Sequence, residues 1–90
     1  MDTETLLFEL KEVLEKLGVE LREQPLESEA GRAHSGLVRV RGQKIVFLDQ
    51  LLAPEEKIIV LCAILKEFDL EGVYLSPYLR KTIEVADEKG

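Results

Sequence analysis

The apolar run IIVLCAIL, residues 58–65, is the feature that most constrains this fold, because a stretch this long without a charge must be buried. Pro54 stands where a helix can begin, since its missing N–H has no cost in the first turn. The two glutamates that follow would lie at the positive end of the helix dipole. The run therefore predicts a central helix over about residues 54–68, nearly surrounded by protein. A buried strand is the alternative, because three β-branched residues open the run.

The N-terminal segment has the spacing of an amphipathic helix over about residues 4–17. Its apolar residues recur on one helical face: Leu6, Leu10, Val13, Leu14 and Leu17. Gly18 provides the left-handed residue that commonly ends a helix. Residues 19–22 then alternate apolar and charged side chains, which is the pattern of a half-buried strand and predicts one over residues 19–24.

The segments LVRV and KIVFL, on either side of Gly42, predict a β-hairpin over about residues 37–48. We expect a type II′ turn centred on Gly42 and Gln43, because that turn needs glycine at its first central position. This register places Arg41 opposite Lys44. It also creates an entirely apolar face, which we expect to pack on the central helix: Val38, Val40, Ile45 and Phe47. The opposite face combines apolar and basic residues: Leu37, Val46, Leu48, Arg39, Arg41 and Lys44.

Residues 26–36 show no apolar periodicity and predict a mobile loop or a poorly ordered connection between strands. Ser76 followed by Pro77 predicts the start of a C-terminal helix that ends near residue 87. We therefore expect a single α+β domain over residues 1–90. It would have an N-terminal helix, a small antiparallel sheet with residues 19–24 as a candidate third strand, a buried central helix and a C-terminal helix. A chain this short buries roughly 60–65% of its unfolded surface, which leaves no room for a large enclosed active site.

Several features predict a cytoplasmic location. The single cysteine, Cys62, cannot form an internal disulfide, and no secretory signal pattern opens the sequence. The longest apolar run is too short to cross a bilayer, so we expect no membrane association.

The candidate chemical groups are few. One histidine, His34, and one cysteine, Cys62, do not supply the ligand set of a zinc site. We interpret His34 as a solvated loop residue and Cys62 as an inert packed thiol, because it lies within the apolar run. There is no glycine-rich phosphate loop. We therefore expect no catalytic residue, no metal and no cofactor.

The basic residues are unevenly distributed in a chain whose net charge is −6. Residues 30–48 contain four basic residues and no acidic residue. Within this segment, Arg39, Arg41 and Lys44 are the candidate binding residues for an acidic partner, on one face of the hairpin. The alternative is that these cations only balance the protein's own acids, which outnumber its bases by 18 to 12.

Two further interpretations concern aromatic residues. Nucleic-acid binding is disfavoured, because the net charge repels phosphates and Phe47 is expected to face the core rather than stack on a base. Tyr74 and Tyr78 lie on either side of the Ser–Pro pair, close to Leu75. We favour packing of these three residues at the edge of the core. The alternative is an interaction patch, because tyrosine combines contact area with a polar group.

The chain resembles short uncharacterised bacterial proteins that carry RVRGQKIVFLD, PEEKI and FDLEGVYLSPYLRK in the same order. The likeness covers about two thirds of the chain. It implies a bacterial cytosolic α+β domain and transfers no functional residue.

In the order of its elements, the chain also resembles the start of the ImmA/IrrE type of metallopeptidase domain, over roughly residues 5–70. In that family the central helix carries a His-Glu-x-x-His zinc motif. The matching positions here are Ala63, Ile64 and Glu67, and neither histidine is present. This resemblance implies a related fold and argues against protease chemistry.

These observations predict a non-enzymatic protein-interaction or regulatory module that uses Arg39, Arg41 and Lys44. Self-association through an open sheet edge is one form that this function could take. A small-ligand binder or enzyme is the alternative, with a cleft around residues 30–36 and His34 as its titratable group. Nucleic-acid binding through the basic hairpin is the third alternative.

Overall fold

The computed structural model of the protein describes residues 2–28, 31–32 and 35–86. The elements, in chain order, are α1 (Thr3–Lys16), β1 (Glu20–Gln24), β2 (Glu27–Ser28), β3 (Gly31–Arg32), β4 (Gly36–Val40), β5 (Gln43–Asp49), α2 (Pro54–Leu65) and α3 (Pro77–Ala86). The predicted α+β class is confirmed, with its N-terminal, central and C-terminal helices. Residue 87, where we predicted the end of the last helix, lies outside the described residues.

The helix α1 begins and ends as its sequence predicts. The Asp2 carboxylate accepts a hydrogen bond of 2.7 Å from the backbone N–H of Thr5, and this bond lowers the pKa of that carboxyl group. Gly18 follows the helix with a φ of 77°, the left-handed conformation that favours glycine. The apolar face of α1 is buried at Leu6, Leu10, Val13 and Leu14.

The apolar run forms a helix, α2, so the strand alternative is wrong. The Glu56 carboxylate accepts a 3.0 Å hydrogen bond from the backbone N–H of Ala53, which satisfies a donor at the start of the helix. The helix ends at Leu65, and a turn replaces its predicted last residues. It is less enclosed than predicted, because Ile59 is 48% exposed. The other two helices and the sheet pack against α2 and leave this one side uncovered.

The principal sheet has the strand order β1-β5-β4. The candidate third strand is confirmed as β1, but β1 runs parallel to β5, so the sheet is mixed rather than antiparallel. In this sheet β5 lies in the centre, between its hairpin partner β4 and β1. In the predicted loop, β2 and β3 form a separate two-stranded ribbon. The serine cap of α3 is confirmed, because Ser76 Oγ accepts a 3.2 Å hydrogen bond from the backbone N–H of Leu79.

The hairpin turns at Arg41 and Gly42, whose φ angles are 52° and 82°. Two adjacent left-handed residues define a type I′ turn, so the predicted type II′ turn centred on Gly42 and Gln43 is wrong. Lys44 pairs with Arg39 rather than with Arg41. This is a displacement of two residues along β4. Because side chains alternate with a period of two, the residues predicted to share a face still share it.

The face of the sheet that packs on the helices is the opposite of the predicted one. Val46 and Leu48 are fully buried in the main core, whereas Val38 and Val40 are 41% and 49% exposed. The sequence analysis predicted that the face without charged residues would be buried. The structure instead buries the face on which Leu21 of β1 lies beside Val46, an alignment that exists only because β1 pairs with β5. None of the helices in the described part of the chain has the length and apolarity that crossing a bilayer requires.

Candidate functional site: the basic hairpin

The basic hairpin consists of β4, the turn and β5, residues 36–49. Two of the predicted binding residues, Arg39 and Lys44, are direct neighbours across its strands. The third, Arg41, occupies the turn at the end of the same ribbon. Both arginines are exposed and Lys44 is half-buried. The hairpin thus places the three cations at one end of the sheet, although their role in binding stays a prediction.

Lys44 differs from the two arginines because it has a partner within the protein. Its ammonium lies 4.9 Å from the centre of the Phe68 ring, which belongs to the turn after α2. A cation at this distance is attracted by the negative face of the ring, with about 0.5–1 kcal/mol at a partly exposed site. Sequence reasoning missed Phe68, because no spacing pattern relates it to the hairpin. Lys44 therefore also connects the hairpin to the helical layer.

The two arginines have no such partner. Within the part of the chain that the structure describes, no carboxylate lies within ion-pair distance of Arg39 or Arg41. The acids that form ion pairs are occupied elsewhere: Glu20 pairs with Arg22 of the same strand, and Glu23 binds two lysines. Among the described residues, no direct contact therefore supports the alternative that the two arginines balance the protein's own acids.

The partly buried carboxylate of Glu23 is neutralised by two lysines of the same protein. Its carboxylate, on β1, accepts hydrogen bonds from Lys11 of α1 at 2.8 Å and from Lys57 of α2 at 2.5 Å. The bond from Lys11 and then that from Lys57 lower the pKa of Glu23, while partial burial raises it. The three side chains are 12–32% exposed, and they join the sheet to both helices. This ion-pair group is structural, in contrast to Arg39 and Arg41, which form no ion pair with any described residue.

The outer face of the hairpin, away from the helices, is apolar. Val38 and Val40 alternate along β4 and are partly exposed. Phe47, predicted to face the core, lies half-buried on this outer face, with the Arg22 guanidinium 6.0 Å from its ring centre. Ile45 is 6% exposed and lies outside the main core cluster. Arg39 and the two valines thus lie on opposite faces of β4.

The strand β4 is an edge of the sheet. Among the described residues, no strand pairs with it on the side away from β5. In a two-residue hairpin, the pair that flanks the turn is hydrogen-bonded, and hydrogen-bonded and non-hydrogen-bonded pairs alternate from there. Since Val40 and Gln43 flank the turn, the N–H and C=O groups of Leu37 and Arg39 point toward the open edge. These groups are available to another extended chain.

The chemical groups that the sequence singled out are Cys62 and His34. Cys62 is fully buried, and burial raises the pKa of its thiol to about 11 against the opposing effect of the Lys66 charge. A thiol of this kind remains protonated and inaccessible. No group of three or more His, Cys, Asp or Glu that could hold a metal occurs in the described part of the chain. His34 lies outside the described residues, and so do residues 30 and 33 of the predicted cleft segment 30–36.

The two tyrosines near the start of α3 differ from their sequence interpretation. Tyr74 and Tyr78 are 80% and 49% exposed, so their predicted packing at the core edge is wrong. Leu75 between them is buried as predicted.

A cavity of about 280 Å³ lies between α3 and the segment after α2, and its lining includes Phe68 and Ile83.

No family model matches the chain, and no curated protein or solved structure matches it either. The interpretation of the basic hairpin therefore depends on its own geometry.

Proposed function

We propose that this protein is a non-enzymatic interaction module whose basic hairpin binds an acidic segment of a partner protein. One observation carries the proposal: Arg39 and Arg41 are exposed and have no ion-pair partner among the described residues, beside an unpaired strand edge. Guanidinium groups bind carboxylates through two parallel hydrogen bonds, which suits them to an acidic partner. Lys44 has a supporting role, because its contact with Phe68 restrains the hairpin.

The apolar outer face supports binding to a protein. Charges at the rim of an interface mainly set the rate of encounter and the orientation, whereas buried apolar area supplies much of the affinity. Val38 and Val40 provide apolar area on the same edge strand as Arg39, on the opposite face of the sheet. A nucleic acid would use the cations but not the valines, and the net charge of −6 would repel it.

The test is selection of binding peptides from a library of random dodecapeptides, with the whole protein as bait. We expect the wild-type protein to enrich Asp- and Glu-rich peptides, and the variant R39E/R41E to lose them. The variant K16E/K81E makes the same change in net charge with one exposed base of α1 and one of α3, and it should select as the wild type does. Equal enrichment by all three proteins, or enrichment of no acidic peptide by the wild type, would contradict the proposal.

Small-ligand binding is a second candidate, favoured by the cavity of about 280 Å³. None of the residues that line the cavity belongs to the cleft that the sequence suggested, and its lining combines apolar side chains with charged ones that include Arg80 and Glu71. Its size is at the lower end of the range for small-molecule sites. A thermal-shift screen of small carboxylic acids would test it: stabilisation by a compound should disappear in Arg80→Ala. No stabilisation by any of these acids would count against the cavity as their binding site.

A further inference from the structure

We propose that the acidic segment binds as an additional β-strand along β4, extending the sheet from three strands to four. This inference rests on the proposed function, because it specifies how the same hairpin receives its partner. It predicts a ligand with an extended conformation and an alternating sequence, rather than a helix or a folded acidic surface.

The backbone of β4 provides the first argument. Leu37 and Arg39 direct their N–H and C=O groups away from β5, so two adjacent sets of donors and acceptors face the open edge. An extended peptide can satisfy both sets at once, whereas a helix uses its own backbone groups internally. Strand addition to an exposed sheet edge is an established mode of peptide recognition.

The side chains of β4 provide the second argument, because they specify what an added strand should carry. Side chains directly opposite each other on neighbouring strands interact across the sheet. Arg39 would face the ligand residue paired with it, so a carboxylate belongs at that position. Val38 and Val40 lie on the opposite face and are partly exposed, so apolar ligand residues belong on either side of the carboxylate. The ligand class is therefore an extended segment in which Asp or Glu alternates with β-branched residues.

A second copy of the chain fits this edge poorly. Antiparallel pairing of β4 with β4 of another copy, centred on Val38, would bring the two Arg39 side chains diagonally close on one face, where like charges repel. Pairing with β1 of another copy also lacks free carboxylates, because Glu20 is bound by Arg22 at 2.6 Å and Glu23 by two lysines. The charge pattern thus favours an acidic segment of a different molecule over self-association.

A charged residue on an edge strand has another known effect, which is to block unwanted pairing of sheets. If this were the only role of Arg39, the edge would bind no strand. The proposal and this alternative make opposite predictions for a designed ligand.

The experiment uses the whole protein and a synthetic peptide, acetyl-Gly-Val-Glu-Val-Glu-Val-Gly-amide, with its binding followed by NMR titration. The matched control is the same peptide with N-methyl groups on both glutamates, and a second N-methylated control carries them on the valines instead. Both controls keep all charges, and one of the two must remove the hydrogen bonds that the ligand donates to β4. We expect one methylation pattern to weaken binding at least tenfold. In the complex, the amides of Leu37 and Arg39 should exchange with solvent at least tenfold more slowly.

The possible results distinguish strand addition along β4 from the proposed binding of an acidic partner. Binding that is lost in R39E/R41E but equal for all three peptides would overturn strand addition and leave the proposed function standing. Binding of the parent peptide that R39E/R41E does not weaken would overturn both, and so would the absence of binding to it. A single-stranded DNA oligonucleotide of equal charge that binds more tightly than the parent peptide would overturn both in favour of nucleic-acid binding.

Discussion

Lys44 holds its ammonium 4.9 Å from the centre of the Phe68 ring, and this contact joins the basic hairpin to the turn after α2. The contact explains why one of the three hairpin cations is half-buried while both arginines are exposed. Lys44 therefore restrains the hairpin, whereas Arg39 and Arg41 are the two cations that we propose bind a partner.

The first prediction concerns this pair. Phe68→Leu removes the aromatic face and Lys44→Gln removes the charge, so a double-mutant cycle isolates their interaction. We expect a coupling free energy of about 0.5–1 kcal/mol in urea denaturation. The cycle of Arg39→Gln with Phe68→Leu is the control and should give a coupling near zero. Equal coupling in both cycles would show that the Lys44 contact is not specific.

The second prediction concerns Glu23. Glu23→Gln leaves the ammonium groups of Lys11 and Lys57 close together without their carboxylate, and we expect a loss of about 1–2 kcal/mol in the free energy of unfolding. Glu20→Gln is the matched control on the same strand. Its ion pair with Arg22 is more exposed, so its loss should stay below about 0.5 kcal/mol.

The stability difference between the wild type and Glu23→Gln should depend on pH. The pKa of Glu23 is lowered in the folded protein from its ordinary value of 4.5. The stabilisation is therefore fully present above pH 4.5 and decreases as the pH falls through the lowered folded pKa. Urea denaturation at successive pH values from 7 downward should show a constant difference that narrows only in this acid range. A difference that is unchanged in strong acid would contradict the ion-pair explanation.

The third prediction concerns the turn. A Cβ at Gly42 would meet no atom within 4 Å, so Gly42→Ala tests only the left-handed backbone, whose φ is 82°. We expect a loss of about 1–2 kcal/mol in the free energy of unfolding. Gly72→Ala is the control, because its surroundings are equally open and its φ is outside the left-handed region. Its effect should stay within about 0.5 kcal/mol, measured by thermal denaturation.

The fourth prediction tests which face of the hairpin is buried. Val46→Ala removes two methyl groups from a fully buried site, and we expect a loss of about 1.5–3 kcal/mol. Val38→Ala makes the same change at a site that is 41% exposed, and we expect less than about 1 kcal/mol. Chemical denaturation of both variants provides the comparison. The reverse order would place the helices on the other face of the sheet.

Local sequence signals were sufficient for the helices. The periodic leucines and Gly18 predicted α1, Pro54 and the glutamates after it predicted α2, and Ser76 predicted the start of α3. Each signal acts within one or two turns of helix, so it can be read from neighbouring residues. The alternation of residues 19–24 and the glycine at residue 42 likewise predicted a strand and a hairpin.

The candidate site was only partly predictable. Arg39, Arg41 and Lys44 stood out by charge, and their clustering at one end of the hairpin is what the structure describes. The contact between Lys44 and Phe68 had no sequence signal, because α2 and its packing determine where Phe68 lies.

The amino-acid sequence by itself determined the three helices and the strands of the principal sheet, but not β2 and β3. It also determined which hairpin residues share a face, because this follows from local periodicity. Only the tertiary structure decided which face is buried, that β1 runs parallel to β5, and that no strand among the described residues covers the outer edge of β4. These choices depend on where β1 and α2 pack against the hairpin. The physical reason is that either face of the hairpin has enough apolar residues to be buried, so the covering elements select one.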